Sequence, residues 1–226
     1  MEYTIEAKPT VYDGVQFRSR LEAHWATFFT MIHWPWIYEP VDLGEWSPDF
    51  IIDGAITLLV EVKPLLEFDH EVGAKVDRGT RLWQKEHPGK RVEGVLLGLK
   101  PSESDEHWPV IGWMTEYYAD YEMAGSWDYA CVGHWQDNNP ESLLGVCHNM
   151  GDFRDCITGG YDGGSIGSFG AKCAGAAVDA AWKAAGKAVQ WHKRQPIRQA
   201  VGDFMAGQKV KHQGPPAPSR AEEKSF

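Results

Sequence analysis

No run of about 18 or more apolar residues occurs in this 226-residue sequence, so no segment is expected to cross a bilayer as a helix. The amino terminus, MEYTIEAKP, lacks a basic stretch followed by an apolar one, and no signal peptide is expected there. Cysteine is scarce, with four residues and no Cys-x-x-Cys pair. A reducing cytoplasm and free thiols are therefore the expectation. The glycine-dense stretch at 159–170 lacks the G-x-x-x-x-G-K-[ST] order and follows no clear strand, which excludes a nucleotide-binding phosphate loop. No internal repeat is present.

Basic charge is also short overall, with 22 Lys and Arg against 32 Asp and Glu and a formal net charge of −10. The deficit is uneven. From Lys187 onward eight basic residues face three acidic ones, giving +5 and leaving −15 on the rest. A basic tail on an acidic body can follow phosphates locally while the whole stays soluble. With 43% hydrophobic and 24% charged residues, the chain can bury one moderate core and carry an appendage.

The densest chemical text is WSPDFIIDGAITLLVEVKP at 46–64. Two apolar runs flank Asp53-Gly54, a dipeptide that predicts a tight type I′ hairpin. Asp49 lies on the first run, and Glu61 and Lys63 flank Val62 on the second. Side chains alternate along a strand, so Glu61 and Lys63 share one face. Charge is costly to bury unless it is paired or bound to metal. Two readings follow: a solvated strand end with one Glu–Lys pair, or a site for a hard divalent cation with Lys63 beside it.

Pro48-Asp49, eleven intervening residues, and Glu61-Val62-Lys63 resemble the signature of the PD-(D/E)XK, or restriction-endonuclease-like, nuclease superfamily. The order FRSRLEA, YEP, PDF, EVKP over roughly residues 10–100 is similar to small phage-encoded members. It is also similar to the transposase subunit that cleaves transposon ends and, more remotely, to phage junction-resolving endonucleases. The resemblance implies an α/β fold with a mixed central sheet flanked by helices. It implies a catalytic set of Glu22, Asp49, Glu61 and Lys63, with Mg²⁺ or Mn²⁺ on Asp49, Glu61 and the Val62 backbone carbonyl. Glu22 would serve a second ion or act through water. Some phage relatives carry a small zinc-binding insert.

Along the chain, Tyr12-Asp13-Gly14 reads as a turn, and residues 17–32 as a helix whose apolar face is Phe17, Leu21, Trp25, Phe28 and Ile32. Glu22 lies beside that face, one turn from Arg18 and open to pairing with it. Strands are predicted at 36–39, on both sides of Asp53-Gly54, at 91–99 and at 110–114, with a second helix at 71–87. That helix is expected to turn Val72, Val76, Gly79, Leu82 and Trp83 toward the sheet. This order predicts an α/β layer arrangement. Residues 1–116 are expected to form the nuclease core. Residues 117–194 form an aromatic-, Gly- and Cys-rich extension ending in an Ala-rich helix, and 195–226 a basic, disordered tail.

DNA is the expected partner, and a dimer is compatible with the reading. Arg18, Arg20, Lys75, Arg78 and Arg81 are candidates for phosphate contacts. Two other readings stand beside a Mg²⁺-dependent nuclease. One is a catalytically silent nucleic-acid-binding module of the same fold. The other is a zinc-containing structural or regulatory protein using Cys131, Cys147, Cys156 and Cys173, with His134 and His148 nearby. The missing paired spacing makes packing rather than zinc the expectation for that segment.

Overall fold

The computed structural model describes residues 9–104, 107–115, 126–134, 144–148, 155–160 and 172–189; for Lys172 and Cys173 only the backbone is described. The tail at 195–226 lies outside the described residues. Asp13 and Gly14 have φ of 46° and 83°, the left-handed pair a two-residue type I′ turn requires. They join β1 (Thr10–Tyr12) to β2 (Val15–Phe17) in a small separate hairpin.

Helix α1 spans Arg20–Met31 rather than 17–32. Ser19 is extended (φ −135°, ψ 159°) and its hydroxyl accepts from the Glu22 N–H, so the helix begins there. Phe17 consequently belongs to β2, where its ring lies 4.5 Å from Tyr38 and 6.1 Å from Phe50. Its spacing mimicked a helical face, but the cap decides the boundary.

The remaining strands are β3 (Trp36–Tyr38), β4 (Phe50–Asp53), β5 (Thr57–Val62), β6 (Val92–Glu103), β7 (Pro109–Thr115), β8 (Trp127–His134), β9 (Leu144–His148) and β10 (Lys172–Cys173). They form one mixed sheet in the order β10-β8-β7-β6-β5-β4-β3, with β9 also paired to β8. Among the described strands only β5 and β6 run parallel. The crossover between them carries α2 (His70–Glu86), capped by Asp69 and matching the predicted second helix within one residue. The class is mixed α/β, as expected. No helix among the described residues is long and apolar enough to cross a membrane.

Two apolar layers sandwich the sheet. On one face Phe50, Leu58, Val60, Val62, Val95 and Leu97 meet α1 and α3 (Gly175–Ala188). Trp182 of α3 stacks on His24 at 3.6 Å and lies 4.5 Å from Trp25, tying the two helices together. On the other face Leu59, Val92, Val76 and Trp83 enclose Trp46 beneath α2. Gly79 makes that closeness possible, because a Cβ there would lie 2.1 Å from the Trp46 ring. Leu82, expected on this face, points outward instead.

The hairpin at Asp53-Gly54 departs from expectation. Asp53 pairs with Thr57, so three residues intervene and the tight two-residue turn does not form. The Ala55 and Ile56 N–H groups instead donate to the carbonyls of Ile157 and Cys156. Asp155, fully buried, anchors that distant turn by accepting from the Val146, Ile157 and Thr158 N–H groups. The sheet also continues past residue 116 through β8 and β9, strands not predicted from the aromatic- and glycine-rich text.

Candidate active site

The Phe50–Val60 pair sets the site. One step beyond it, Asp49 and Glu61 stand opposite each other on the face that carries Leu59. They are only 1% and 3% exposed. Asp49 Oδ2 accepts from the Val62 N–H at 2.7 Å. Val62 thus meets Asp49 through its N–H, a contact separate from the ligand role that the family resemblance implied for its carbonyl. Glu61 Oε2 accepts from the Trp46 indole N–H at 2.7 Å, and Glu61 Oε1 pairs with Lys63 Nζ at 2.6 Å. Lys63 is 40% exposed, so its ammonium reaches solvent from a buried carboxylate.

Burial, and then the negative charge of Glu61, push the Asp49 carboxyl up to about 7. The Val62 N–H and Lys63 oppose the rise without cancelling it. Such a pair concentrates negative charge when both members ionise, which Lys63 and Arg18 offset in part. Its oxygens are hard donors, and Mg²⁺ typically binds through one or two carboxylates while keeping several waters. The donor set therefore fits a hard divalent cation.

Arg18 occupies part of that space. Its Nη2 contacts Asp49 Oδ1, and its Nε pairs with Glu39 Oε1 at 2.8 Å. Arg18, a candidate for a phosphate contact, pairs here with two acids, because the β2–α1 junction aims its guanidinium at the strand ends. At 59% side-chain exposure it is the most accessible of Asp49's partners.

Glu22 is buried but points into its own helix start. Its carboxylate accepts from Ser19 Oγ at 2.8 Å, from the Arg18 N–H at 3.1 Å and from the Tyr38 hydroxyl. Burial and that bond to Glu22 push the Tyr38 phenol up to about 12. Glu22 pairs with the Arg18 backbone rather than with its guanidinium. Among the described residues, no three His, Cys, Asp or Glu side chains gather closely enough to hold one ion. The structure therefore brings Asp49, Glu61 and Lys63 together, with Glu22 bonded into its helix start yet near enough for its charge to add to the rise at Asp49.

No family model, curated protein or solved structure matches this chain. The reading of the site rests on its chemistry.

The other candidates scatter. Arg20 and Arg78 are exposed and Lys75 is half-buried. Arg78 lies 3.7 Å from Glu45, and Arg81 pairs with Asp77 at 2.9 Å. Cys131 and Cys147 oppose each other across β8 and β9, packed with Trp108 and Val110. Cys156 faces Glu93 Oε2 at 3.8 Å, and burial followed by that carboxylate pushes its thiol well up. A thiol held protonated is a poor zinc ligand. Cys173 lies in β10 opposite Gly133, and its side chain is outside the described residues. Glu93 also pairs with the buried His148 at 2.8 Å and with the exposed Arg91 at 3.0 Å.

Sequence reasoning missed Tyr38, Glu39 and Trp46. Ser19-x-x-Glu22 did carry a signal, since that spacing marks a capping box and announces the helix start. Nothing in the local text marked Trp46 as the partner of Glu61.

Proposed function

We propose that this chain is a divalent-metal-dependent nuclease of the restriction-endonuclease-like fold that hydrolyses DNA phosphodiester bonds. The observation that carries the reading is the buried Asp49–Glu61 pair at adjacent strand ends, with Lys63 held at 2.6 Å from Glu61 and partly open to solvent.

Asp49 and Glu61 would hold Mg²⁺ or Mn²⁺. When bound, the ion supplies charge neutralisation at the phosphate and lowers the pKa of an attached water. The Val62 N–H and the Trp46 indole each fix one carboxylate oxygen, leaving the remaining lone pairs of Asp49 and Glu61 as ligands. Lys63 orients the attacking water through its N–H groups and faces the phosphate's negative charge. Arg18, freed from Asp49, moves to a phosphate oxygen, for which its planar fork is suited. Glu22 acts through Arg18 and α1 as a positioning residue. Exposed Arg20 and Arg78, with Arg81 and Lys75 on α2, contribute contacts that hold the duplex without reading its sequence.

Two observations favour a second reading, a silent DNA-binding module of the same fold. Arg18 already supplies Asp49 with a cation, and Glu22 is engaged by its helix cap. Plasmid, linear and branched DNA incubated with Mg²⁺ separate the two. Cutting that disappears in both Asp49→Ala and Glu61→Ala supports the nuclease. Near-normal cutting by either variant refutes the site, and DNA binding without cutting by the wild type selects the module.

A further inference from the structure

Beside the carboxylates, the same sheet face carries an aromatic cleft. Glu61 is in register with Leu96, Leu96 with Trp113, and Trp113 with Tyr129. Register partners in neighbouring strands share a face. Strands lie about 4.8 Å apart, so Trp113 stands roughly 10 Å and Tyr129 roughly 14 Å from Glu61 along one row.

Phe68, just before α2, completes the cleft. Its ring lies 5.8 Å from Trp113, 5.2 Å from Trp127 and 5.0 Å from His70. The cleft has a volume of about 420 Å³ and is lined by Phe68, His70, Trp113, Trp127, Asp128 and Tyr129. That volume falls within the range of roughly 300–1,000 Å³ usual for ligand sites. Tyr129 is 41% exposed, while Phe68, Trp113 and Trp127 are only partly covered. Exposed aromatic surface gathered in one concave place marks a binding site more often than a packing remainder. Trp127 also packs against the cluster that contains Trp46, the residue that fixes Glu61. Cleft and catalytic carboxylate therefore share one rigid layer.

We infer that this cleft takes an unpaired nucleobase of the DNA strand being cut, so that the substrate is DNA with unpaired nucleotides near the scissile phosphate. This rests on the nuclease reading and narrows it to a substrate class. An aromatic side chain recognises a base through its flat face. In a duplex those faces are covered by neighbouring bases, whereas a frayed, flapped or branched strand offers them. A cleft roughly 10 Å away along the sheet places the bound base within a few nucleotides of the cut.

The test uses the full chain in EDTA, so that binding is read without cutting. One oligonucleotide duplex carries a five-nucleotide single-stranded arm, another is fully paired, and 2-aminopurine replaces a base at successive positions of the arm. The wild type should bind the armed DNA more tightly than the paired one. It should also quench 2-aminopurine at one or two positions near the junction, as stacking on an aromatic ring does. Tyr129→Ala and Trp113→Ala should each lower the preference for the armed DNA by roughly 5- to 100-fold and relieve the quench. Trp113→Phe, which keeps a ring, should retain most of both. Tyr129 is exposed enough that its alanine variant should fold normally, as circular dichroism would verify.

Equal affinity of the wild type for both DNAs, or a preference that survives both alanine variants, overturns the inference. The nuclease reading is judged separately, by Mg²⁺-dependent cutting and its loss in Asp49→Ala. Cutting with no arm preference leaves the nuclease standing and removes the cleft's role. Arm preference and quench without cutting keep base binding and remove the nuclease, and with it the assignment of a substrate to be cut.

Discussion

Replacing Asp49 with asparagine should make the metal-free protein more stable at pH 8. In the folded chain this carboxyl is pushed from 3.8 to about 7, first by burial and then by Glu61. A shift of about three units at roughly 1.4 kcal/mol each is about 4 kcal/mol of differential stability. Below about pH 4 both the folded and unfolded chains carry the proton, and the penalty is absent. Between pH 4 and 7 the unfolded chain has released it while the folded chain has not, so wild-type stability falls as pH rises. Above pH 7 the full penalty applies.

Asparagine removes the charge and can still accept from the Val62 N–H. Against this stands the lost contact with Arg18, worth about 0–1 kcal/mol for a half-exposed partner. A further term of about 1 kcal/mol arises from setting an amide NH₂ near the guanidinium. The net expectation is a gain of about 2 kcal/mol at pH 8 that shrinks steadily toward pH 4. Urea unfolding in EDTA, run on both proteins across that range, measures it. An asparagine variant less stable than the wild type at pH 8, or a difference that does not change with pH, would refute the reasoning. Asp49 would then be an ordinary ionised partner of Arg18, and its loss would break a buried pair.

Because Asp49 must lose its proton to bind a cation, Mn²⁺ affinity should fall about tenfold per pH unit below pH 7, as calorimetric titration at pH 5.5, 6.5 and 7.5 would show. Lys63→Arg should leave DNA binding in place yet fail to restore the chemical step, since a wide planar fork replaces a compact ammonium. Single-turnover cutting close to the wild-type rate in that variant would remove Lys63 from water positioning and return it to a simple Glu61 partner. Gly79→Ala places a methyl 2.1 Å from the Trp46 ring and should destabilise by about 1–3 kcal/mol in a thermal melt while lowering activity, because the displaced indole releases Glu61. Trp46→Phe keeps the packing but removes the indole donor, so it should lower activity with a stability loss of about 1–2 kcal/mol.

Much of the site was legible because strand alternation is short-range. Asp49, Glu61 and Lys63 follow from one hairpin whose apolar runs are unambiguous. Asp13-Gly14 was equally readable, since turn chemistry needs only two residues. The Asp53-Gly54 loop was misread because its conformation is decided by Cys156 and Ile157, about 100 residues away. Local propensity carries no trace of such a partner. The charge of Arg18 was visible in sequence, whereas its pairing with Asp49 and Glu39 was not, because the direction of a guanidinium leaves no local trace. Strands β8 and β9 were hidden for a different reason. Gly133, Gly145 and Ala130 interrupt the β-branched run that normally announces a strand, and the burial of both faces supplies what propensity lacks.

The contact between α1 and α3 sets an order of events. The residues of the helix with Glu22 and of the strands with Asp49 and Glu61 have all been made once Lys63 is added, yet Trp25 and Phe28 are covered on one side by Trp182. About 120 residues separate Lys63 from Trp182. At about 5–20 residues per second, roughly 6–24 s pass between them during synthesis. Through that interval the nascent chain presents an aromatic helix flank that lacks its α3 cover, and a chain stalled before residue 182 leaves that flank exposed to aggregation.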